Sequence, residues 1–320
     1  METHESHCPA CHSQRIDSRW KAHRLPGAKE VAWCGECGFG WLQPFPTKDE
    51  VHDYYYDTDA LSYVIQNDSE KRKGFEQRLK RLSQLMPERG TLLDVGSGLG
   101  HFLSMAQEDG WNVDGVELQK SAAEYCQERY GIQPHVGYIE ALNLAPNSFD
   151  VVTMWDVLEH VHNPVEFLRS CALLVKPGGI LVLAIPNASG WPARIFKGGW
   201  RYVMTHHLSY FTMDRINRML DDIHLSIVAT NHTIKVQSLA HGLESLLPGI
   251  VDSERLMRVG RENAIEHANW DQRENSSRLG DLKHATLKRV RQLMFSINMT
   301  SLKWPIGDLM DIYCRKGDGH

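Results

Sequence analysis

Thr91-Leu92-Leu93-Asp94-Val95-Gly96-Ser97-Gly98-Leu99-Gly100, TLLDVGSGLG, is the stretch on which the fold turns. A short apolar run ends in an acid and a glycine-rich turn, and a segment with helical spacing follows at 101–109. Strand, tight turn and helix in that order open a parallel α/β unit. Glycines in such a turn serve the bend, close backbone approach to a ligand, and helix packing. The dinucleotide fingerprint G-x-G-x-x-G is not met, because the third glycine comes one residue early and His101 stands where that motif needs glycine. A compact G-x-G-x-G bend behind an acid suits a nucleoside with an amino-acid tail better than a pyrophosphate. A tight connection that holds no ligand is the other reading of these residues alone.

Outward from this turn the alternation continues. NVDGVEL (112–118), FDVVTMW (149–155) and ILVLAIP (180–186) read as strands, and 120–130 and 163–176 as helices between them. The pattern predicts an α/β fold, a parallel sheet with helices on both faces. Asn163 as N-cap, Pro164 at the first helical position, Glu166 three residues after the cap and Gly178-Gly179 beyond the end sign the last of these helices. Upstream, Phe75, Leu79, Leu82 and Leu85 recur at helical spacing within 70–87. Downstream, Thr212 can cap a helix running to Leu220, and 225–229 reads as a further strand. Helical spacing of Leu256, Val259, Leu287, Val290, Leu293 and Met294 marks 242–304 as a helical insertion, and 309–314 alternates as a final strand. Ligands of open α/β sheets bind at the carboxyl ends of the strands. Glu117 closes the second strand there, where a carboxylate can accept hydrogen bonds from two ribose hydroxyls.

Cys8-Pro9-Ala10-Cys11 and Cys34-Gly35-Glu36-Cys37 form two C-x2-C knuckles separated by 22 residues. Each knuckle aims two thiolates at one point, and the pair completes the closed tetrahedral set of a structural zinc ribbon. The expected organisation is therefore a ribbon at 1–46, an α/β core at 47–241, the insertion at 242–304 and the last core strand within 305–320. Cys126, Cys171 and Cys314 fall in apolar patterns and read as core residues. Tyr54-Tyr55-Tyr56 admits two readings, a lid over a ligand or packing between ribbon and core.

Of the 320 residues, 42% are apolar and the formal net charge is −5. No global basic field favours nucleic acid or an anionic membrane, so a small-molecule partner is expected. The N-terminus has no basic stretch followed by an apolar one, and no apolar run reaches the ~18 residues that span a bilayer. A cytoplasmic protein with reduced cysteines is the expectation.

DVGSGLG, GVEL, FDVVTMWDVLEHV and LLVKPGGILVLAIPN, in that order, resemble the class I S-adenosylmethionine-dependent methyltransferases over roughly residues 70–235. The resemblance implies a Rossmann-like sheet of seven strands with the last antiparallel. It implies that Asp94, Gly96, Ser97, Gly98 and Gly100 frame the methionine part of the cofactor, that Glu117, followed by Leu118, holds the ribose, and that Trp155 and Asp156 line the junction with the acceptor. Many relatives carry Asp after the glycine that precedes the fourth strand, but Tyr138 follows Gly137 here. Contact with adenine then falls to the Ile139 backbone, to Glu140 or to stacking on Tyr138.

The segment HLSYFT (207–212) is similar to one in zinc-containing sugar C-methyltransferases, which also begin with a cysteine-rich module and use a histidine there as base. That role falls on His207, although the residue before it is acidic in those enzymes and is His206 here. A helix-entry histidine is the alternative for His207. His160 is the second catalytic candidate, with structural hydrogen bonding beneath the cofactor as its alternative. The implied activity is methyl transfer to a sugar, nucleotide sugar or natural-product intermediate, with the insertion shaping the pocket or a homodimer contact. Two other readings stand beside it. One is an RNA methyltransferase whose ribbon docks nucleic acid through Arg15, Arg19, Lys21, His23 and Arg24; the other is a docking protein that has lost activity.

Overall fold

The computed structural model describes residues 7–22, 25, 27–47, 50, 68–234, 236–246 and 307–318. Three antiparallel strands come first, Ile16–Lys21 (β1), Glu30–Cys34 (β2) and Gly40–Gln43 (β3). Helix Asp68–Leu85 (α1) leads into Thr91–Val95 (β4). Then follow His101–Glu108 (α2), Asn112–Glu117 (β5), Lys120–Tyr130 (α3), His135–Val136 (β6), Phe149–Trp155 (β7), Pro164–Leu174 (α4) and Val175–Pro186 (β8). Trp191–Phe196 (α5), Ser209–Tyr210 (β9), Met213–Asp221 (α6), Leu225–Thr233 (β10), Val236–Leu246 (α7) and Leu309–Lys316 (β11) complete the described helices and strands.

Seven strands form one sheet in the order β10-β11-β8-β7-β4-β5-β6. The five strands from β8 to β6 run parallel, and β11 pairs antiparallel with both β8 and β10. The chain leaves β4 toward β5 and β6 and returns on the other side to β7, so the order reverses at the carboxyl end of β4, where the glycine turn lies. This is the Rossmann-like seven-stranded sheet that the resemblance implies, with the parallel core that the alternation of elements predicts. Ile180 through Ile185 are buried without a break, because both faces of the central sheet are covered. Leu181, Leu183 and Ile185 join one apolar cluster, and Ile180, Val182 and Ala184 the cluster on the opposite face.

Caps fall where the sequence signals them: Asn163 Oδ1 accepts from the Glu166 amide at 3.3 Å, and Thr212 Oγ1 from the Arg215 amide at 3.2 Å. The helix read at 163–176 is shorter than expected. It stops at Leu174, and Val175 already pairs with Phe149. Pro177 cannot continue a helix, and Lys176 is drawn to the sheet by Asp150 Oδ2 at 2.8 Å.

The ribbon is joined to the core by main chain as well as by packing. Trp41 pairs with Ser209 and Gly40 with Tyr210, which makes β9 the fourth strand of the ribbon sheet. Cys8, Cys34, Cys37, Phe39 and Trp41 share one apolar cluster with Phe211, Ile216 and Met219. Of the insertion read at 242–304, only the stretch to Leu246 is described, as the end of α7; its remainder and Tyr54–Tyr56 lie outside the described residues. Cys126, Cys171 and Cys314 are buried, as expected. No described helix is long and apolar enough to cross a membrane.

Candidate active site

Asp94, the last acid before the turn, is buried and accepts from Thr153 Oγ1 at 2.6 Å. Burial pushes its carboxyl up to about 7, against the opposing effect of the threonine hydroxyl. Gly96, Gly98 and Gly100 all have positive φ, at 74°, 54° and 78°. A Cβ on Gly96 would lie 2.6 Å from Val157 Cγ2 and one on Gly100 2.1 Å from Cys126 Sγ, so packing forbids a side chain at both. Gly98 differs. Nothing lies within 4 Å of its Cβ direction, and the turn there opens at the carboxyl ends of the strands.

Glu117 faces that opening. Its Oε2 accepts from the Gly98 amide at 2.7 Å and its Oε1 from the Gln119 amide at 2.8 Å. Burial raises the Glu117 carboxyl above its ordinary value, and the amides of Gln119 and Gly98 act in the other direction. The Gly96 and Ser97 amides are both held by the Val116 carbonyl, at 2.8 and 3.0 Å. Half-buried Leu118 follows Glu117. The Gly137 amide donates to the Glu117 carbonyl at 3.0 Å and draws 137–140 to the same edge. Ile139 turns its side chain into the core, whereas Glu140 and Tyr138 are exposed, the latter at 60%.

At the end of β7 the two residues read as one feature separate. The Trp155 indole is buried against Phe102, with centroids 4.9 Å apart, and lies under the Arg78 guanidinium at 4.7 Å. Asp156 is exposed and has φ of 56°, a left-handed conformation rare for a residue with a side chain. Val157 then leans on Gly96, and a 3-10 turn, Leu158–His160, follows and carries Glu159 and His160.

His160, His206 and His207 converge there, each with one ring nitrogen within 4.8 Å of the others. His160 stacks on His206, and His207 stands at 84° to both. His160 Nδ1 donates to the His206 carbonyl at 2.8 Å. Burial holds His160 down to about 4 and His206 to about 3. It pushes His207 well below the histidine range, with His160 and His206 adding to the effect. All three rings are neutral at pH 7. Glu159 is 1% exposed, and its Oε2 has no partner among the described residues. Burial, then the nearby Asp156 charge, raises its carboxyl well above the ordinary value.

The sequence reading brought His160 and His207 to this place but passed over Glu159 and His206 as site residues. The available signal was an acid and a histidine side by side in DVLEHV, in a turn too apolar to be a solvated loop. Position follows from main-chain bonds: the Leu208 amide donates to the Glu159 carbonyl at 2.8 Å, and the Leu42 amide of the ribbon to the Leu208 carbonyl at 3.0 Å.

The four ribbon cysteines gather as the spacing requires. Sγ atoms of Cys8 and Cys37 are 3.6 Å apart, as are those of Cys11 and Cys34. Thiolates bound tetrahedrally at about 2.3 Å from zinc are ~3.8 Å apart, so the set fits that ion with little movement. The Glu36 and Cys37 amides point at Cys34 Sγ, at 3.4 and 3.5 Å. Cys37 is held lowest, at about 5, by the Cys8 thiol and more weakly by the buried Arg215. Among the basic residues of the ribbon, Arg15 is paired with Asp17 and Arg19 with Glu30, while His23 and Arg24 lie outside the described residues.

A family model described as a methyltransferase domain matches residues 68–230. Among curated proteins, a ubiquinone biosynthesis O-methyltransferase of Albidiferax ferrireducens is 37% identical over 121 residues, 35% of this chain and 48% of that protein. The Caulobacter vibrioides protein of the same name is 37% identical over 123 residues, 36% and 48% of the two chains. The chain spans about half the length of the curated relatives it matches. Among solved structures, a SAM-dependent methyltransferase from Archaeoglobus fulgidus aligns with a TM-score of 0.49 at 16% identity, covering 79% of this chain and 99% of that one.

Proposed function

Because the chain belongs to the methyltransferase domain family, we propose that it binds S-adenosylmethionine at the glycine turn and methylates a small molecule. The observation that carries this reading is the pairing of Glu117 with the Gly98 amide across a turn that opens at Gly98. A carboxylate fixed by two amides is preorganised to accept from vicinal hydroxyls, and a glycine with open space in its Cβ direction lets a ligand chain lie against the backbone. The cofactor supplies a methyl group on a sulfonium, which is transferred by in-line displacement. Asp94, Gly96, Ser97, Gly98 and Gly100 shape the floor of that site; Leu118, Ile139 and Glu140 belong to its edge beside Glu117, and Asp156 to its boundary with the acceptor.

Displacement at a sulfonium needs alignment and exclusion of water more than it needs acid catalysis. A hydroxyl acceptor needs its proton removed, and the neutral rings of His207 and His160 are the groups suited to that. The O-methyltransferase names of the curated relatives support oxygen as the acceptor atom. Sugars, nucleotide sugars and hydroxylated natural-product intermediates are the acceptor classes to try. Four thiolates close the coordination of the ribbon zinc, so that ion is structural. Through the pairing of β3 with β9 the ribbon braces the segment that carries His207.

Titration of the zinc-loaded protein with S-adenosylhomocysteine by calorimetry tests the reading. Micromolar binding that Gly98→Arg abolishes is the expected result. A folded wild type that does not bind overturns it.

A further inference from the structure

We propose that His160, His206 and His207 form a second metal site, distinct from the cysteine ribbon, which takes a divalent ion of the zinc class in three-nitrogen coordination with one position open. One ring nitrogen from each residue lies within 4.8 Å of the others, and the ring centroids are 4.8 to 5.2 Å apart. Nitrogens bound tetrahedrally at about 2.0–2.1 Å are ~3.3 Å apart, so small rotations about the side-chain bonds close the set.

Three further features point to a cation. The first is how the rings are held. Histidines that bind metals give their other ring N–H to a carbonyl or carboxylate, which fixes tautomer and direction. His160 Nδ1 donates to the His206 carbonyl at 2.8 Å, which fixes the tautomer of that ring. The second is what remains unpaired. His207 Nδ1 is buried with no partner among the described residues, although the residue is only 5% exposed. The third is the carboxylate beside the rings: Glu159 Oε1 is 4.0 Å from His160 Nε2, and its buried Oε2 has no partner among the described residues. A divalent ion bound by the three rings satisfies the buried His207 Nδ1 and gives the buried acid beside them a cation to face.

The donor set selects the metal. Imidazole nitrogens suit zinc and its transition-metal neighbours, whereas magnesium and calcium ask for oxygen. Three protein ligands with a fourth position open is the pattern of a reactive zinc site, and an ion of that kind lowers the pKa of a hydroxyl that coordinates it. Use of the ion to activate an acceptor hydroxyl, in which His160 and His207 serve as ligands in place of bases, rests on the function proposed above; its binding does not.

The test is metal stoichiometry on tag-free, full-length protein. Stripped protein is titrated with cobalt(II), whose spectrum separates the sites: thiolate charge-transfer bands report the ribbon, and ligand-field bands without them report the histidines. Two equivalents in the wild type, with the second lost in His206→Ala and in His160→Gln, are expected. A single equivalent in the wild type, or a second one kept in both variants, overturns the proposal. His206 is only half-buried, and unchanged ribbon bands in the variants certify their fold. Binding of S-adenosylhomocysteine is measured on the same samples. If that binding is present and the second equivalent is absent, the metal site fails and the methyltransferase reading stands; the reverse pattern separates them the other way.

Discussion

The Gly98 amide donates to Glu117 Oε2 at 2.7 Å, which ties the apex of the glycine turn to the end of the neighbouring strand. The turn and the acid are thus one binding element built on two strands. Glu117→Ala removes the acceptor of two amides and of the ligand hydroxyls together. A hydrogen bond to a charged group is worth about 1.5–3 kcal/mol, so affinity for S-adenosylhomocysteine falls roughly 10- to 100-fold. Calorimetry reads the loss, and a Glu117→Ala protein that binds as tightly as wild type contradicts the assignment.

Arg78 of α1 reaches Asp311 of β11 at 2.8 Å, with both side chains largely buried. The pair fastens the helix that precedes the first core strand to the last strand of the chain. Arg78→Leu strands the Asp311 charge and costs about 3–5 kcal/mol, whereas Arg78→Leu with Asp311→Leu recovers most of that loss. Urea denaturation of the two single variants and the double variant measures the coupling, and additive losses would refute it.

Much of this architecture is legible in the sequence, for reasons that differ by element. The strands at 91–95 and 149–155 announce themselves because burial on both faces selects mostly apolar residues, while 112–117 is readable from its place in the strand-helix alternation. Helix α3 has the bounds that its spacing indicates, Lys120–Tyr130. Two-residue strands do not: β6 and β9 exist only because a partner strand is already in place, and no local pattern encodes that. The same holds within the site. Glu117 is readable from its place at the end of β5, but the meeting of His160 with His206 depends on hydrogen bonds between segments 46 residues apart, such as His160 Nδ1 to the His206 carbonyl. Trp155 shows the opposite case. Its position at a strand end is legible, while the direction of its ring, into the cluster with Phe75 and Phe102, is decided by strand alternation and packing.

The pairing of Trp41 with Ser209 makes the ribbon a brace for the histidine segment. Removal of zinc, by chelation or by Cys34→Ser, therefore loosens residues far from the cysteines in sequence. The amides of Leu42 and Leu208, bonded to the Leu208 and Glu159 carbonyls, lose protection from hydrogen exchange, while those of β4 and β8 keep theirs. The melting temperature falls by several degrees. Uniform loss of protection across the whole sheet would refute a local brace, as would no change at Leu208.

Asp94 supplies the pH dependence. Its carboxyl is pushed up to about 7 by burial, from an ordinary value of about 3.9. A group whose folded pKa is raised binds its proton more tightly in the folded chain, so its contribution to stability is complete below the unfolded value. That contribution drains away as pH climbs from about 4 to 7 and is constant above. Asp94→Asn keeps an acceptor for Thr153 Oγ1 and abolishes the titration. Relative to wild type, the variant gains stability across that window, by at most roughly 4 kcal/mol, and the difference levels off above pH 7. Melting temperatures of both proteins from pH 4.5 to 8.5 give the curve directly. A difference that is flat with pH, or that grows toward acid, would mean that the carboxyl is ionised in the folded chain and that its charge is offset by a partner other than Thr153.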